Sequence, residues 1–225
     1  MTVQRFVALA YPKESILDDK KIKLDNIPFP KLIVNKSNVE QARSKFSLKI
    51  DKPIISLCPG AEYGPAKQWP AKHYAALAKK KIEQGWQVWI FGSQKDRDFA
   101  EEINTFIDQK AINLCAKTEL SEAIDLMSLS STVVSNDSGL MHMGAALGVP
   151  IVGIYGSSDP TFTPPLGKHT TMQSLNLDCS PCFKRSCPLG HTDCLENLLP
   201  EQVSTAMDLL LDHCKQTTSN DKESK

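Results

Sequence analysis

Between residues 53 and 155, short apolar runs alternate with amphipathic stretches. IISLC (54–58), WQVWIF (86–91), TVVS (132–135) and PIVGIY (150–155) are apolar with little polar alternation, and Ala111–Leu114 is a weaker run of the same kind. Short apolar runs bounded by Gly, Pro or Ser predict strands buried on both faces. Helical patterns lie between them. Tyr74, Leu77, Ala78 and Ile82 share a face ahead of Gly85. Phe99, Ile103, Phe106 and Ile107 share another, and Leu120, Ala123, Ile124 and Met127 follow the i, i+3, i+4, i+7 rule. LMHMGAALG (140–148) supplies a fourth helix. Such alternation implies right-handed crossovers and a parallel, doubly wound α/β sheet in a single Rossmann-like domain. Ligands of such sheets bind outside the carboxyl ends of the strands. The residues that follow each strand are therefore the informative ones.

The flanks read differently. Residues 12–38 hold Pro12, Pro28, Pro30 and the charged run DDKKIK, which is connector composition. A short apolar piece, Phe6–Ala10, precedes them, and Val39–Phe46 predicts a short helix capped by Ser37 or Asn38. After Tyr155 come the loop SSDPTFTPP, a sixth strand at Thr170–Leu177 and a Cys-rich insertion at 178–199. Pro200 then opens a last helix with Val203, Met207, Leu210 and Leu211 inward. The expected organisation is a remnant-plus-linker segment at 1–50, the α/β domain at 51–212 and a polar, disordered tail at 213–225.

Composition narrows the function. The 225 residues carry 26 Lys+Arg and 26 Asp+Glu, so no basic footprint for nucleic acid exists. The longest apolar stretch, Leu147–Tyr155, is interrupted by Gly148, Pro150 and Gly153, far short of the ~20 residues a spanning helix needs. The opening residues do not read as a signal peptide. The expectation is a cytoplasmic protein with reduced thiols.

Four segments could carry chemistry. In SNDSGLMHMGAALG (135–148) a strand gives way to a helix through Asp137, Ser138 and Gly139. Free amides at that helix start form an anion site, Ser138 adds a hydroxyl, and His142 sits one turn in. Equally, Asp137 could be no more than an N-cap. An acidic residue there suits an anion site better if it accepts from a sugar hydroxyl or a lysine. CPGAEYGPAKQWP (58–70) is a shaped loop whose Lys67 could reach a diphosphate as a point charge, or could be a solvated loop lysine. In FGSQKD (91–96), Gly92-Ser93 could line a nucleotide pocket, or Ser93 and Asp96 could simply form a capping box. Neither GxxxxGK[ST] nor GxGxxG occurs. Cys179, Cys182, Cys187 and Cys194 crowd one short segment around His191, open to three readings: a zinc or other soft-metal knot, reduced structural thiols, or disulfides.

Taken in order, PGAEYGPAKQWP, FGSQKD, NDSGLMHMGAALGVPIVGIYGSSDP and the Cys-rich stretch before PEQV resemble the ADP-heptose:lipopolysaccharide heptosyltransferases, glycosyltransferase family 9, in their heptosyltransferase II branch. The resemblance covers residues 50–212 and implies the C-terminal, donor-binding half of a two-domain GT-B fold. It implies an inverting transfer of L-glycero-D-manno-heptose from ADP-heptose to the inner core of lipopolysaccharide, with no tightly bound cofactor. Lys67 matches a lysine used against the donor diphosphate. Asp137, Ser138, Gly139 and His142 match the motif that holds diphosphate and heptose. Gln94 falls at a ribose-side position that is often acidic, Thr118 at an adenine-side position, and Glu62 and Tyr63 at phosphate-loop positions. The general base is expected from the N-terminal domain, which this chain does not match. The lipid-anchored acceptor implies peripheral contact with the cytoplasmic face of the inner membrane. The competing expectation is a catalytically inactive nucleotide- or metal-binding module.

Overall fold

The computed structural model describes residues 1–8 and 27–223. Most of the Pro- and charge-rich connector, including DDKKIK, lies outside the described residues, as do Leu9 and Ala10. Helices α1 (Thr2–Ala8) and α2 (Lys36–Lys45) precede the sheet. The sheet region then runs β1 (Ile54–Cys58), α3 (Ala71–Glu83), β2 (Gln87–Ile90), α4 (Arg97–Phe106), β3 (Ile112–Asn113), α5 (Leu120–Met127), β4 (Thr132–Asn136), α6 (Gly139–Ala146), β5 (Ile151–Ile154) and β6 (Thr170–Gln173). A short helix α7 (Asp193–Glu196) and the long α8 (Pro200–Glu223) close the chain.

The six strands form one parallel sheet in the order β3-β2-β1-β4-β5-β6. Alternate residues of the apolar runs point to opposite faces, so β1, β2, β4 and β5 each feed two cores. Ile55, Leu57, Val88, Ile90, Val134 and Val152 pack against α3, α4 and α8 through Leu77, Ile103 and Met207. Ile54, Trp89, Phe91, Val133 and Ile151 pack against α2, α5 and α6 through Ala42, Leu126 and Met141. Burial on both faces explains why these strands read as continuous apolar runs.

Chain order runs outward from β1 to β3 and then returns to β4, on the other side of β1. The switch point therefore lies at the carboxyl ends of β1 and β4, where crevices form in open α/β sheets. Cys58 pairs with Ser135 in the register, so the loops that follow the two strands emerge side by side.

Several expectations shift. Helix α2 starts at Lys36, before the expected Val39, because Asn35 caps it by accepting the Ser37 amide at 2.8 Å. Phe106 and Leu120 are exposed although they share apolar faces. The core positions are taken by Ala100, Ile103 and Ile107, and by Ala123, Leu126 and Met127. The sixth strand ends at Gln173. The tail expected to be disordered from 213 is helical to Glu223, since no Gly or Pro interrupts α8.

Candidate active site

The site is organised by Asn136, the last residue of β4 and fully buried. Its carboxamide oxygen accepts the Trp69 amide at 3.1 Å and the Tyr74 hydroxyl at 3.0 Å. Its Nδ2 donates to the Pro59 carbonyl at 2.7 Å. One side chain thus holds both ends of the 59–70 loop against β4. Trp69 is itself buried and donates its indole N–H to the Leu198 carbonyl at 2.8 Å.

Held this way, the loop forms a 3-10 turn at Pro65–Lys67, and Lys67 meets Asp137. Lys67 Nζ lies 2.5 Å from Asp137 Oδ2, and Thr163 Oγ1 donates to Asp137 Oδ1 at 3.2 Å. The Lys67 ammonium is also 5.2 Å from the Tyr63 ring centroid. Asp137 is therefore not the helix cap considered from the sequence. Ser138 is the N-cap of α6, and its side chain does not cap the helix; it lies 3.1 Å from the Ser135 hydroxyl. The first amides of α6 receive no side-chain acceptor from the N-cap, leaving a dipole end available to an anion. A Cβ added to Gly139 would meet nothing within 4 Å, so protein packing does not demand glycine there.

A cavity of about 370 Å³ opens beside this helix start. Residues following four strands line it: Gly60 and Glu62 after β1, Gly92, Ser93 and Asp96 after β2, Thr118, Leu120 and Ala123 after β3, and Ser138, Gly139, Leu140 and Met143 after β4. Its walls combine apolar surface with a few polar groups, as small-molecule sites do. Two of the glycines are closely approached by side chains. A Cβ on Gly60 would lie 2.8 Å from Asp96 Oδ2, and one on Gly92 would lie 2.5 Å from Cys115 Sγ. The Ser93–Asp96 capping box is formed, with Asp96 Oδ2 accepting both the amide and the hydroxyl of Ser93. Burial and the nearby Asp96 carboxylate push the Cys115 thiol up to about 12.

The structure gathers Lys67, Asp137, Ser138 and Gly139 at the switch point, with Glu62 and Thr118 on the adjoining cavity wall. Glu62 is tied to Lys95 by an exposed ion pair. Tyr63 packs on Lys67 and gives its hydroxyl to the Phe183 carbonyl. Gln94 is exposed and lies outside the cavity lining. Asp96, two residues on, takes the place there. His142 lines a neighbouring cavity of about 300 Å³ with Phe6, Phe162 and Thr163. Burial lowers its pKa, against the opposing pull of Asp137. A groove of about 710 Å³ between β6 and α8 holds none of the candidate site residues, and Leu210, expected to face inward, lines it.

Sequence reasoning missed Asn136 and Thr163 and read Asp96 only as a cap. NDSG did place Asn136 next to Asp137, but nothing in the chain order shows that it grips a loop 67 residues earlier. The four cysteines of the Cys-rich insertion are free thiols, as are Cys58, Cys115 and Cys214 elsewhere in the chain. The disulfide alternative is thus not realised. Among the described residues no three His, Cys, Asp or Glu side chains are grouped to hold a metal. No described helix is long and apolar enough to cross a membrane.

Residues 1–193 match the family described as "Glycosyltransferase family 9 (heptosyltransferase)". The chain is 38% identical to lipopolysaccharide heptosyltransferase 2 of Escherichia coli K12 over 215 residues, covering 94% of this chain and 62% of the relative. It is 40% identical to lipooligosaccharide heptosyltransferase 2 of Haemophilus influenzae over 222 residues, covering 94% of this chain and 63% of the relative. The solved structure of E. coli ADP-heptose LPS heptosyltransferase II superposes with a TM-score of 0.78 at 36% identity, over 96% of this chain and 63% of that one. The chain thus spans about three fifths of the length of these relatives. Its six-stranded parallel domain matches part of their fold, and the chain belongs to glycosyltransferase family 9, the heptosyltransferases.

Proposed function

We propose that this chain supplies the donor-binding part of an inverting heptosyltransferase that moves L-glycero-D-manno-heptose from ADP-heptose to the lipopolysaccharide inner core. The observation that carries the reading is the Lys67–Asp137 pair at the switch point, beside a helix start left open to an anion. Relatives solved as complexes are described as holding ADP or ADP-2-deoxy-2-fluoro heptose, which names the ligand class to test.

In this reading the ADP diphosphate lies against Lys67 and the amides of α6, with the nucleoside in the 370 Å³ cavity. Asp137 accepts from a heptose hydroxyl while holding the Lys67 ammonium in place. An acceptor hydroxyl attacks the anomeric carbon, the bond to the β-phosphate oxygen breaks, and charge develops on departing ADP. Lys67 and the helix dipole are fixed before that charge appears, so they stabilise it without reorganising. The base that takes the acceptor proton belongs, in this reading, to the part of the relatives that this chain does not cover. The lipid-anchored acceptor would be met by that part as well, which places the complex at the cytoplasmic face of the inner membrane.

Thermal denaturation tests the ligand class. A ligand that binds the native state alone raises the melting temperature as its concentration exceeds Kd. ADP should raise it markedly and AMP, which lacks the β-phosphate, much less. Equal shifts would remove the diphosphate from the account.

A further inference from the structure

The Cys-rich insertion grips the loop that carries Lys67. The Ala66 amide donates to the Arg185 carbonyl at 3.1 Å, and the Tyr63 hydroxyl donates to the Phe183 carbonyl at 2.8 Å. In return, Arg185 Nε donates to the Tyr63 carbonyl at 2.7 Å, with its guanidinium 5.5 Å from the Tyr63 ring centroid. Between these bonds sits Gly64, with φ +155, where an added Cβ would lie 2.4 Å from the Arg185 carbonyl oxygen. The two segments therefore pack backbone against backbone. All of these contacts fall on the residues just before Lys67, whose own amide bonds to the Gly64 carbonyl at 3.1 Å.

We propose that the insertion is a brace for the lysine loop and that Arg185 is a positioning residue for Lys67. This rests on the donor-site reading above and assigns the insertion a purpose within it. Arg185 acts through the Tyr63–Lys67 turn and not on the diphosphate itself. Its Nε–H fixes the Tyr63 carbonyl, the turn fixes the start of the Lys67 side chain, and Asp137 fixes the far end. A lysine held at both ends loses less freedom when it meets an anion, and that loss is one of the costs of binding.

The rest of the insertion is anchored without Arg185. Leu195 is buried and packs over Gly156, the Ser180 hydroxyl bonds to the Gly156 carbonyl at 2.5 Å, and Trp69 holds the Leu198 carbonyl. Arg185 is exposed, so its replacement should leave the fold intact.

The test is a double-mutant cycle read by calorimetric titration of ADP into the full chain. Arg185→Ala should weaken ADP binding about three- to tenfold, the size of one net hydrogen bond. Arg185→Gln places an amide N–H at the same reach as Nε without the charge, and should recover most of that loss. In a Lys67→Ala background, Arg185→Ala should weaken binding no further. Unchanged affinity in Arg185→Ala, with wild-type protein binding normally, would overturn the brace alone. Losses that multiply in the double variant, or no recovery with Gln, would make Arg185 a direct charge contact and also overturn it. Wild-type protein that does not bind ADP would overturn the donor-site reading and the brace with it.

Discussion

Lys67 Nζ and Asp137 Oδ2 are 2.5 Å apart although 70 residues separate them in the chain. The two side chains are 19% and 5% exposed, so the pair is shielded enough for its geometry to matter. Asp137 both fixes the lysine and neutralises it. Asp137→Asn keeps the shape and an acceptor oxygen but removes the charge. ADP should then bind at least as tightly as to wild type, while the extra affinity for ADP-heptose over ADP should shrink. Paired titrations with the two ligands check this. Loss of ADP binding in Asp137→Asn would show that the carboxylate serves the diphosphate by fixing Lys67, and an unchanged preference for ADP-heptose would show that it does not serve the sugar.

Asn136 should prove as important as any residue that touches ligand. Asn136→Ala strips three bonding partners from a fully buried position, orphaning the Trp69 amide and the Tyr74 hydroxyl. A loss of about 2–4 kcal/mol in denaturant unfolding is expected, from unsatisfied groups at about 1–3 kcal/mol each. ADP affinity should fall with it, because the lysine loop loses its anchor. A variant of wild-type stability would mean that the loop is held elsewhere.

Gly139 separates packing from binding. No protein atom lies within 4 Å of its missing Cβ, so Gly139→Ala should melt within a degree or two of wild type. The added methyl faces the space assigned to the diphosphate, and ADP affinity should drop about tenfold through lost close approach, about 1.4 kcal/mol. Normal ADP binding in a folded Gly139→Ala would place the phosphates elsewhere.

Acid should weaken the fold through its histidines. Burial lowers the pKa of His73, His142 and His169. Lys72 adds to the effect at His73, where Glu196 opposes it. Each is therefore harder to protonate in the native state than in the unfolded chain. As pH falls below the unfolded value of about 6.5, the unfolded state takes up protons first and stability declines until the native pKa is passed. Melting temperature should hold between pH 7 and 8 and fall between pH 6.5 and 5.5. His142→Gln should lessen the slope, and an unchanged slope would remove His142 from the set.

The fold was legible because the strands are buried on both faces, which leaves uninterrupted apolar runs in IISLC, TVVS and PIVGIY. The helix faces were less so. Phe106 and Leu120 keep apolar spacing but stand exposed, and Leu120 serves the cavity wall. Lys67 and Asp137 could be singled out because each follows a strand at the switch point. A lysine partner for Asp137 could be suggested from the sequence, but not that it is Lys67, since that pairing depends on Asn136 folding the 59–70 loop onto β4. The role of Asp96 was hidden for a similar reason. Its carboxylate satisfies a local capping box, and only the close approach of Gly60 and Gly92 reveals the cavity it faces.

The donor-site account stands or falls on one titration: ADP into wild-type protein and into Lys67→Ala, followed by heat at fixed pH and salt. The account predicts single-site binding by wild type and a loss of about 10- to 100-fold in the variant, the size of one charge-assisted contact. Wild-type protein that releases no heat with ADP, or a Lys67→Ala variant that binds as wild type does, would contradict it.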